Sequence, residues 1–300
     1  MRKLKVLLSS LLVLLLVSCG GKNTDEKIVS VTIEPQRYFA EMIAGDKYTI
    51  HCVVPAGQSP ETYDPTPQQI VQVGKSQAYF RIGTIGFELV WMENIAENNP
   101  DLKIFNSSEG IQLVQTEEET QFGHQRGHGC RLHHRHHHHH SGIDPHTWSS
   151  VAGAKVIAKN TLDAFVELDP SNESYYQANY EQLIQQIEET EKEISGLLKS
   201  VKNKTFIIYH PALTYFASEY GLSQLCIEMD GKEPSPAQLK QLVEIAKEHQ
   251  AKVVFIQQEF DQKNAELIAK ETGCRLIPIN PLAYDWNKEM IHIAKSLADE

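Results

Sequence analysis

Stretches with the apolar spacing of strands and of helices alternate along this 300-residue chain. Positions 29–33 and 48–54 are rich in β-branched and apolar residues and predict strands, with a helical pattern at 36–43 between them. A strand at 78–82, a helix at 86–97, short strands at 102–105 and 111–114 and a helix at 148–167 follow. The most regular stretch comes next. Asp169-Pro170 offers an N-cap followed by proline at the first helical position. From there to Val201, Tyr176, Tyr180, Leu183, Ile187, Ile194, Leu197 and Val201 recur at three, four or seven residues, with Glu188, Glu189, Glu191 and Lys192 on the other face. About 30 residues at 1.5 Å each give a helix of some 45 Å, longer than a small domain is wide. A coiled-coil dimer is the other reading of such a seam, but Gly196 and the polar Thr190 interrupt it. Beyond it the alternation resumes, with strands at 205–209, 224–228, 252–257 and 274–279 and helices at 212–220, 236–249, 261–272 and 286–298.

This alternation predicts an α/β protein of two lobes, each a mostly parallel sheet flanked by helices, joined by one long rigid helix. The expected boundaries are an N-terminal lobe at 27–168, the linking helix at 169–202 and a C-terminal lobe at 203–300.

The first residues alter the picture of where the protein works. Arg2, Lys3 and Lys5 precede an apolar run at 6–17 that is too short to span a bilayer and fits a secretory leader at 1–18. The run ends in Leu16-Val17-Ser18-Cys19-Gly20, which resembles the lipobox of bacterial lipoproteins. By that resemblance Cys19 becomes a lipidated N-terminus on a polar tether at 19–26, anchored to a membrane without a spanning helix and facing away from the cytoplasm, in a periplasm or on a cell surface. Loss of the three basic leader residues takes the net charge from −11 to about −14, which argues against a nucleic-acid partner and does not oppose cations. About 280 residues remain, enough for one large core or two modest ones, and the two-lobe pattern favours two. Cys52, Cys130, Cys226 and Cys274 show no CxxC spacing, so a structural zinc knuckle is not expected. Cys226 and Cys274, both at strand-like segments of an exported protein, are candidates for a disulfide.

Composition then points to a metal. Nine histidines, His124, His128, His133, His134, His136, His137, His138, His139 and His140, fall within seventeen residues in the loop at 120–141. Imidazole titrates near pH 6.5, so at neutral pH these are mostly neutral nitrogen donors suited to zinc, copper or nickel. The tract is internal, unlike an expression tag. Four more donors lie on loops at element ends, where open parallel sheets bind ligands. His210 follows the strand at 205–209, Asn280 follows that at 274–279, Glu61 lies in the Pro-rich loop at 55–67, and His146 precedes the helix at 148–167. Two come from each lobe, and a four-donor N/O set suits tetrahedral zinc.

Six segments sharpen this reading. Pro60-Glu61-Thr62-Tyr63-Asp64-Pro65-Thr66-Pro67, the segment 86–91, Asp144-Pro145-His146-Thr147-Trp148, Tyr209-His210-Pro211-Ala212, Glu233-Pro234-Ser235-Pro236-Ala237-Gln238 and Ile279-Asn280-Pro281-Leu282 occur in this order. Together they resemble the metal-binding solute receptors of bacterial ABC importers, zinc and manganese branch, over essentially the whole mature chain. The resemblance implies two α/β lobes on a rigid helix, a buried metal between them, limited hinge motion and a membrane permease as partner. A His-rich insertion before the second ligand is typical of the zinc-specific members. His146 and His210 match the family unchanged. Glu61 stands where the family usually has histidine, and Asn280 where it usually has an acidic residue. The implied site is therefore His146, His210 and Glu61, with the neutral carbonyl of Asn280 as a weaker fourth donor that water or a nearby carboxylate replaces. Glu228 and Glu233 are candidates for supporting these ligands or for meeting the permease.

Zn2+ is thus the expected cargo and Mn2+, which carboxylates such as Glu61 favour, the alternative; iron is a further option. A zinc-binding adhesin or store on the same fold is compatible with the sequence. Two histidines and one glutamate also resemble a catalytic zinc site, but there is no HExxH and Glu61 is already assigned as ligand, so no enzyme is expected. A soluble form starting at Lys22 is expected to be a monomer.

Overall fold

The computed structural model describes residues 27–115, 142–228 and 232–299. The expected leader, Cys19, the tether, Cys130 and the histidine tract, His124 to His140, lie outside the described residues.

The N-terminal half runs β1 (Ile28–Val31), α1 (Glu34–Ala44), β2 (Thr49–Cys52), α2 (Pro67–Val73), β3 (Ala78–Arg81), α3 (Gly86–Asn98), β4 (Lys103–Asn106) and, after a 3-10 turn at Thr147–Ser149, α4 (Val151–Leu168). A second 3-10 turn, Pro170–Asn172, leads into the long helix α5 (Glu173–Leu198). The C-terminal half runs β5 (Thr205–Ile208), α6 (Thr214–Tyr220), β6 (Ser223–Cys226), α7 (Pro236–Glu248), β7 (Val253–Gln257), α8 (Gln262–Thr272), β8 (Arg275–Ile279) and α9 (Trp286–Ala298). Both sheets are wholly parallel and share one topology, β2-β1-β3-β4 and β6-β5-β7-β8. The order reverses beside β1 and again beside β5, which opens a crevice between β1 and β3 and between β5 and β7 at their carboxyl ends. The halves also share a helix start. Thr66-Pro67-Gln68-Gln69 opens α2 and Ser235-Pro236-Ala237-Gln238 opens α7, each with the hydroxyl accepting the N3 amide and the glutamine returning to the cap. Of these two helices only the second, at 236–249, is expected from the sequence.

One large core contains the N-terminal sheet, the buried faces of α1, α4, α5 and α9, and one face of the C-terminal sheet; a smaller core covers that sheet's other face. The two-residue period of β5 and β7 divides them. Phe206, Ile208, Val253 and Phe255 point into the large core, while Ile207, Val254 and Ile256 point into the small one. The expectation of two separate modest cores is thereby corrected. Tyr176, Leu183, Ile187 and Ile194 of α5 are buried, and α5 packs on α1, α4 and α9, so apolar contact is continuous from one lobe to the other. At 26 residues α5 runs about 39 Å.

Three local expectations also change. Asp169 does not cap the next helix with its side chain; its carboxylate accepts from Lys27 Nζ (2.7 Å), Ser171 Oγ (2.6 Å), Asn172 Nδ2 (2.9 Å) and the Tyr176 hydroxyl (3.2 Å), tying the chain start to the foot of α5. Residues 111–114 form no strand, because β4 is the sheet edge and the chain leaves it there. The Val114 amide donates to the Tyr215 hydroxyl (3.1 Å), and Gln115 pairs only with Ile143. Cys226 and Cys274 do not pair with each other. Cys226 lies on β6 at one sheet edge and Cys274 beside β8 at the other, at least three strand spacings or about 14 Å apart, beyond disulfide reach. Cys274 instead directs its thiol to the Ala251 carbonyl at 3.1 Å.

Candidate metal centre between the lobes

His146, His210 and Glu61 line one pocket between the lobes, together with Glu259, Trp148 and Phe260. His210 lies two residues beyond β5, at the strand-order reversal. Its backbone is held by Gln257, the last residue of β7, whose amide donates to the His210 carbonyl (2.7 Å) and accepts from the His210 amide (3.3 Å). Phe260 stacks on the His210 ring at 5.2 Å. His146 is 5 % exposed and is fixed by Asp144, whose Oδ1 accepts from both the backbone amide (2.9 Å) and Nδ1 (2.8 Å) of His146. The Asp144 carbonyl in turn accepts the Tyr215 hydroxyl of the other lobe (2.9 Å).

The two imidazoles meet edge on. His146 Nε2 and His210 Nε2 are 3.3 Å apart, while Nδ1 of His210 faces both oxygens of Glu228 at 3.2 Å. A carboxylate at each Nδ1 holds the proton there, leaving the two Nε2 lone pairs facing one another. Two lone pairs at that separation repel unless a proton or cation sits between them. A shared proton is a poor solution, because 3.3 Å is long for a hydrogen bond. A tetrahedral zinc ion with Zn–N of about 2.0–2.1 Å sets its nitrogens about 3.3–3.4 Å apart, which matches the observed separation.

Glu61 is delivered by the N-terminus of α3. Its Oε2 accepts the Gly86 amide (3.0 Å), and the Phe87 amide donates to the Pro60 carbonyl (3.0 Å). The other oxygen, Oε1, is buried with no hydrogen-bond partner among the described residues, and the same holds for Glu259 Oε1. Buried carboxylate oxygens without donors are costly and fit a cation as the missing partner. Electrostatics agree. Burial lowers the His146 pKa, but Asp144, with Glu61 and Glu228 behind it, outweighs burial and raises it. Asp144 is held below the usual carboxylate range by His146 despite its own burial. As they stand, no three His, Cys, Asp or Glu side chains among the described residues form a closed cage for an ion, so the carboxylates must swing inward to complete one.

Asn280 is placed differently from the other three. Its Oδ1 accepts the Leu282 amide (3.1 Å) and its own amide donates to Glu289 (2.7 Å), while Pro281 and Leu282 line the pocket in its stead. Glu228 supports His210, whereas Glu233 is exposed. From the sequence Asp144 has no role beyond its segment, and Gln257 and Glu259 have none at all. Glu259 had the same signal as His210, a donor just beyond a strand's carboxyl end. Trp148 closes the pocket floor, its indole donating to the Pro281 carbonyl (2.9 Å), and Trp286 donates to the Trp148 carbonyl (2.7 Å). Among the described residues no helix is long and apolar enough to cross a membrane.

Comparison with known proteins agrees with this architecture. The chain is 29% identical over 281 residues to the high-affinity zinc uptake system protein ZnuA of Bacillus subtilis, covering 90% of this chain and 85% of that protein. The zinc-binding lipoprotein AdcA of Streptococcus pneumoniae is 26% identical over 94% of this chain, which spans only 56% of AdcA's length. Among solved structures, a crystal structure of ZnuA superposes with a TM-score of 0.81 at 33% identity, covering 91% of this chain and 98% of that one. Residues 29–299 match the family described as zinc-uptake complex component A, periplasmic, and with nearly every described residue inside that match the chain belongs to this family of substrate-binding transport proteins.

Proposed function

We propose that this protein is an extracytoplasmic receptor that captures Zn2+ between its lobes and hands it to the membrane permease of an ABC importer. The observation behind this reading is the pair of Nε2 atoms 3.3 Å apart, each backed by a carboxylate on Nδ1. His146 and Glu61 from one lobe and His210 from the other act as ligands; Asp144 and Glu228 orient the imidazoles. Cys19 attaches the mature chain to the membrane through lipid, and the chain works as a monomer. The histidine tract collects zinc at low affinity for the cleft and releases it below about pH 6.5, where imidazolium no longer ligates.

Manganese is the second reading, favoured by the carboxylate at position 61 where nitrogen is usual for zinc. The nitrogen spacing and the nine tract histidines weigh toward zinc. No catalytic step belongs to this reading, in keeping with a family of substrate-binding transport proteins.

The test is a chelator-competed zinc titration of a soluble form starting at Lys22 with 120–141 deleted, beside the same protein carrying His210→Ala. One tight site, lost with His210 and not matched by manganese, is expected. Absence of a tight site after the deletion would place zinc in the tract and remove the cleft from transport.

A further inference from the structure

Resting on that reading, we propose that Glu259 is the fourth ligand of the bound cation and that Asn280 is not a ligand. Two independent observations place the carboxylate there. Glu259 lines the same pocket as both histidines and Glu61, and its Oε1 is buried with no hydrogen-bond partner among the described residues. Residues on both sides of it are fastened to His210, Gln257 by two hydrogen bonds from its side-chain amide to the His210 backbone and Phe260 by ring stacking. A stacked Tyr209–Phe260 pair at 5.0 Å holds the same turn from below. The carboxylate is therefore carried on a loop whose position is set by the ligand histidine itself.

Asn280 has the opposite character. Its one good acceptor is engaged by the Leu282 amide, its backbone amide is engaged by Glu289, and turning Oδ1 inward would break the turn that places Pro281 against the Trp148 indole. A neutral amide oxygen is also a weaker zinc donor than a carboxylate.

With Glu259 the site has a simple division. Each lobe contributes one imidazole and one carboxylate, His146 with Glu61 and His210 with Glu259. The two ligand carboxylates match the charge of a divalent cation, while Asp144 and Glu228 stay engaged by the imidazole Nδ1 atoms. Without the cation the same two carboxylates repel across the cleft.

The experiment titrates the intact chain with zinc against a chelator strong enough to strip the histidine tract, for the parent, Glu259→Gln, Asn280→Ala and His210→Ala. Glu259→Gln is expected to weaken zinc tenfold or more and Asn280→Ala less than twofold. In addition, saturating Co2+ should give a visible ligand-field spectrum that Glu259→Gln changes and Asn280→Ala does not; a variant that merely destabilised the fold would leave that spectrum at saturation unaltered. Zinc binding by Glu259→Gln within twofold of the parent, with the parent cobalt spectrum, overturns this assignment while loss in His210→Ala upholds the cleft site. A parent with no tight site overturns both.

Discussion

Gly86 lies against the backbone of Glu61 so closely that a Cβ built on it would sit 2.3 Å from the Glu61 carbonyl oxygen. The same glycine donates its amide to the Glu61 carboxylate at 3.0 Å. Glycine at this position lets the Glu61 loop rest on the N-terminus of α3, where an amide with no partner inside the helix and the helix dipole favour a carboxylate. Gly86→Ala should therefore shift the Glu61 loop and weaken zinc binding by about tenfold, or about 1.4 kcal/mol. Circular dichroism should show the helices retained, and unchanged affinity in the chelator assay would refute the relationship.

Asp144 predicts a pH effect. Because it raises the His146 pKa, protons compete with zinc at Nε2 at a higher pH than for an ordinary imidazole. Zinc affinity should fall as pH drops through the neutral range. In Asp144→Asn the fall should move to lower pH, while affinity at pH 8 should drop about 10–100-fold from loss of ring orientation. Parallel pH profiles for the two proteins would contradict this.

Glu88 predicts how the metal-free fold responds to pH. Burial pushes its pKa up to about 7 from an ordinary 4.5, against hydrogen bonds from the Thr32 hydroxyl and the Gly83 and Ile82 amides. The folded state thus holds this proton in a window where the unfolded chain releases it. Stability is greatest below pH 4.5 for this group and declines as pH rises through about 7, by a maximum of about 3 kcal/mol. The raised His146 pKa acts in the same direction, its contribution disappearing as pH rises through its folded value. Urea midpoints of the metal-free protein should be lower at pH 8 than at pH 5, and Glu88→Gln should flatten that difference. A midpoint that rises with pH would exclude the role given to Glu88.

The indoles predict where the lobes are fastened. Trp148→Phe removes the donor to the Pro281 carbonyl and leaves a buried acceptor unpaired, at about 1–3 kcal/mol. Denaturant unfolding should register that loss in metal-free protein, and none at all would mean the contact is not maintained in solution.

Cargo removal should be visible in stability as well. Free zinc at 1,000 times the dissociation constant adds about 4 kcal/mol to the folded state. Thermal scans with and without chelator should separate accordingly, and His210→Ala should abolish the separation.

Much of this was legible in the chain. The strands at β5 and β7, the three-four-seven spacing along α5, the Asp144-Pro145-His146 and Tyr209-His210-Pro211 segments and the α/β alternation all depend on neighbours within a few residues, and local sterics and burial decide them. The helix Pro67–Val73 was equally legible through its capping box, yet its Pro-rich approach reads as loop. The strand expected at 111–114 failed because a strand needs a partner, and the edge position of β4 is not a local property.

What the sequence by itself determined is the order of elements, the two-lobe plan and the two histidines, since hydrophobic period and motif spacing are properties of adjacent residues. Tertiary structure alone decided that the Nε2 atoms face each other, that Asn280 closes a turn, that Glu259 enters the pocket and that Cys226 and Cys274 stand at opposite edges. Those outcomes depend on which strand lies beside which and on how α5 and α9 join the lobes into one core. Loops distant in sequence are brought to a common point by packing, and no window along the chain contains that information.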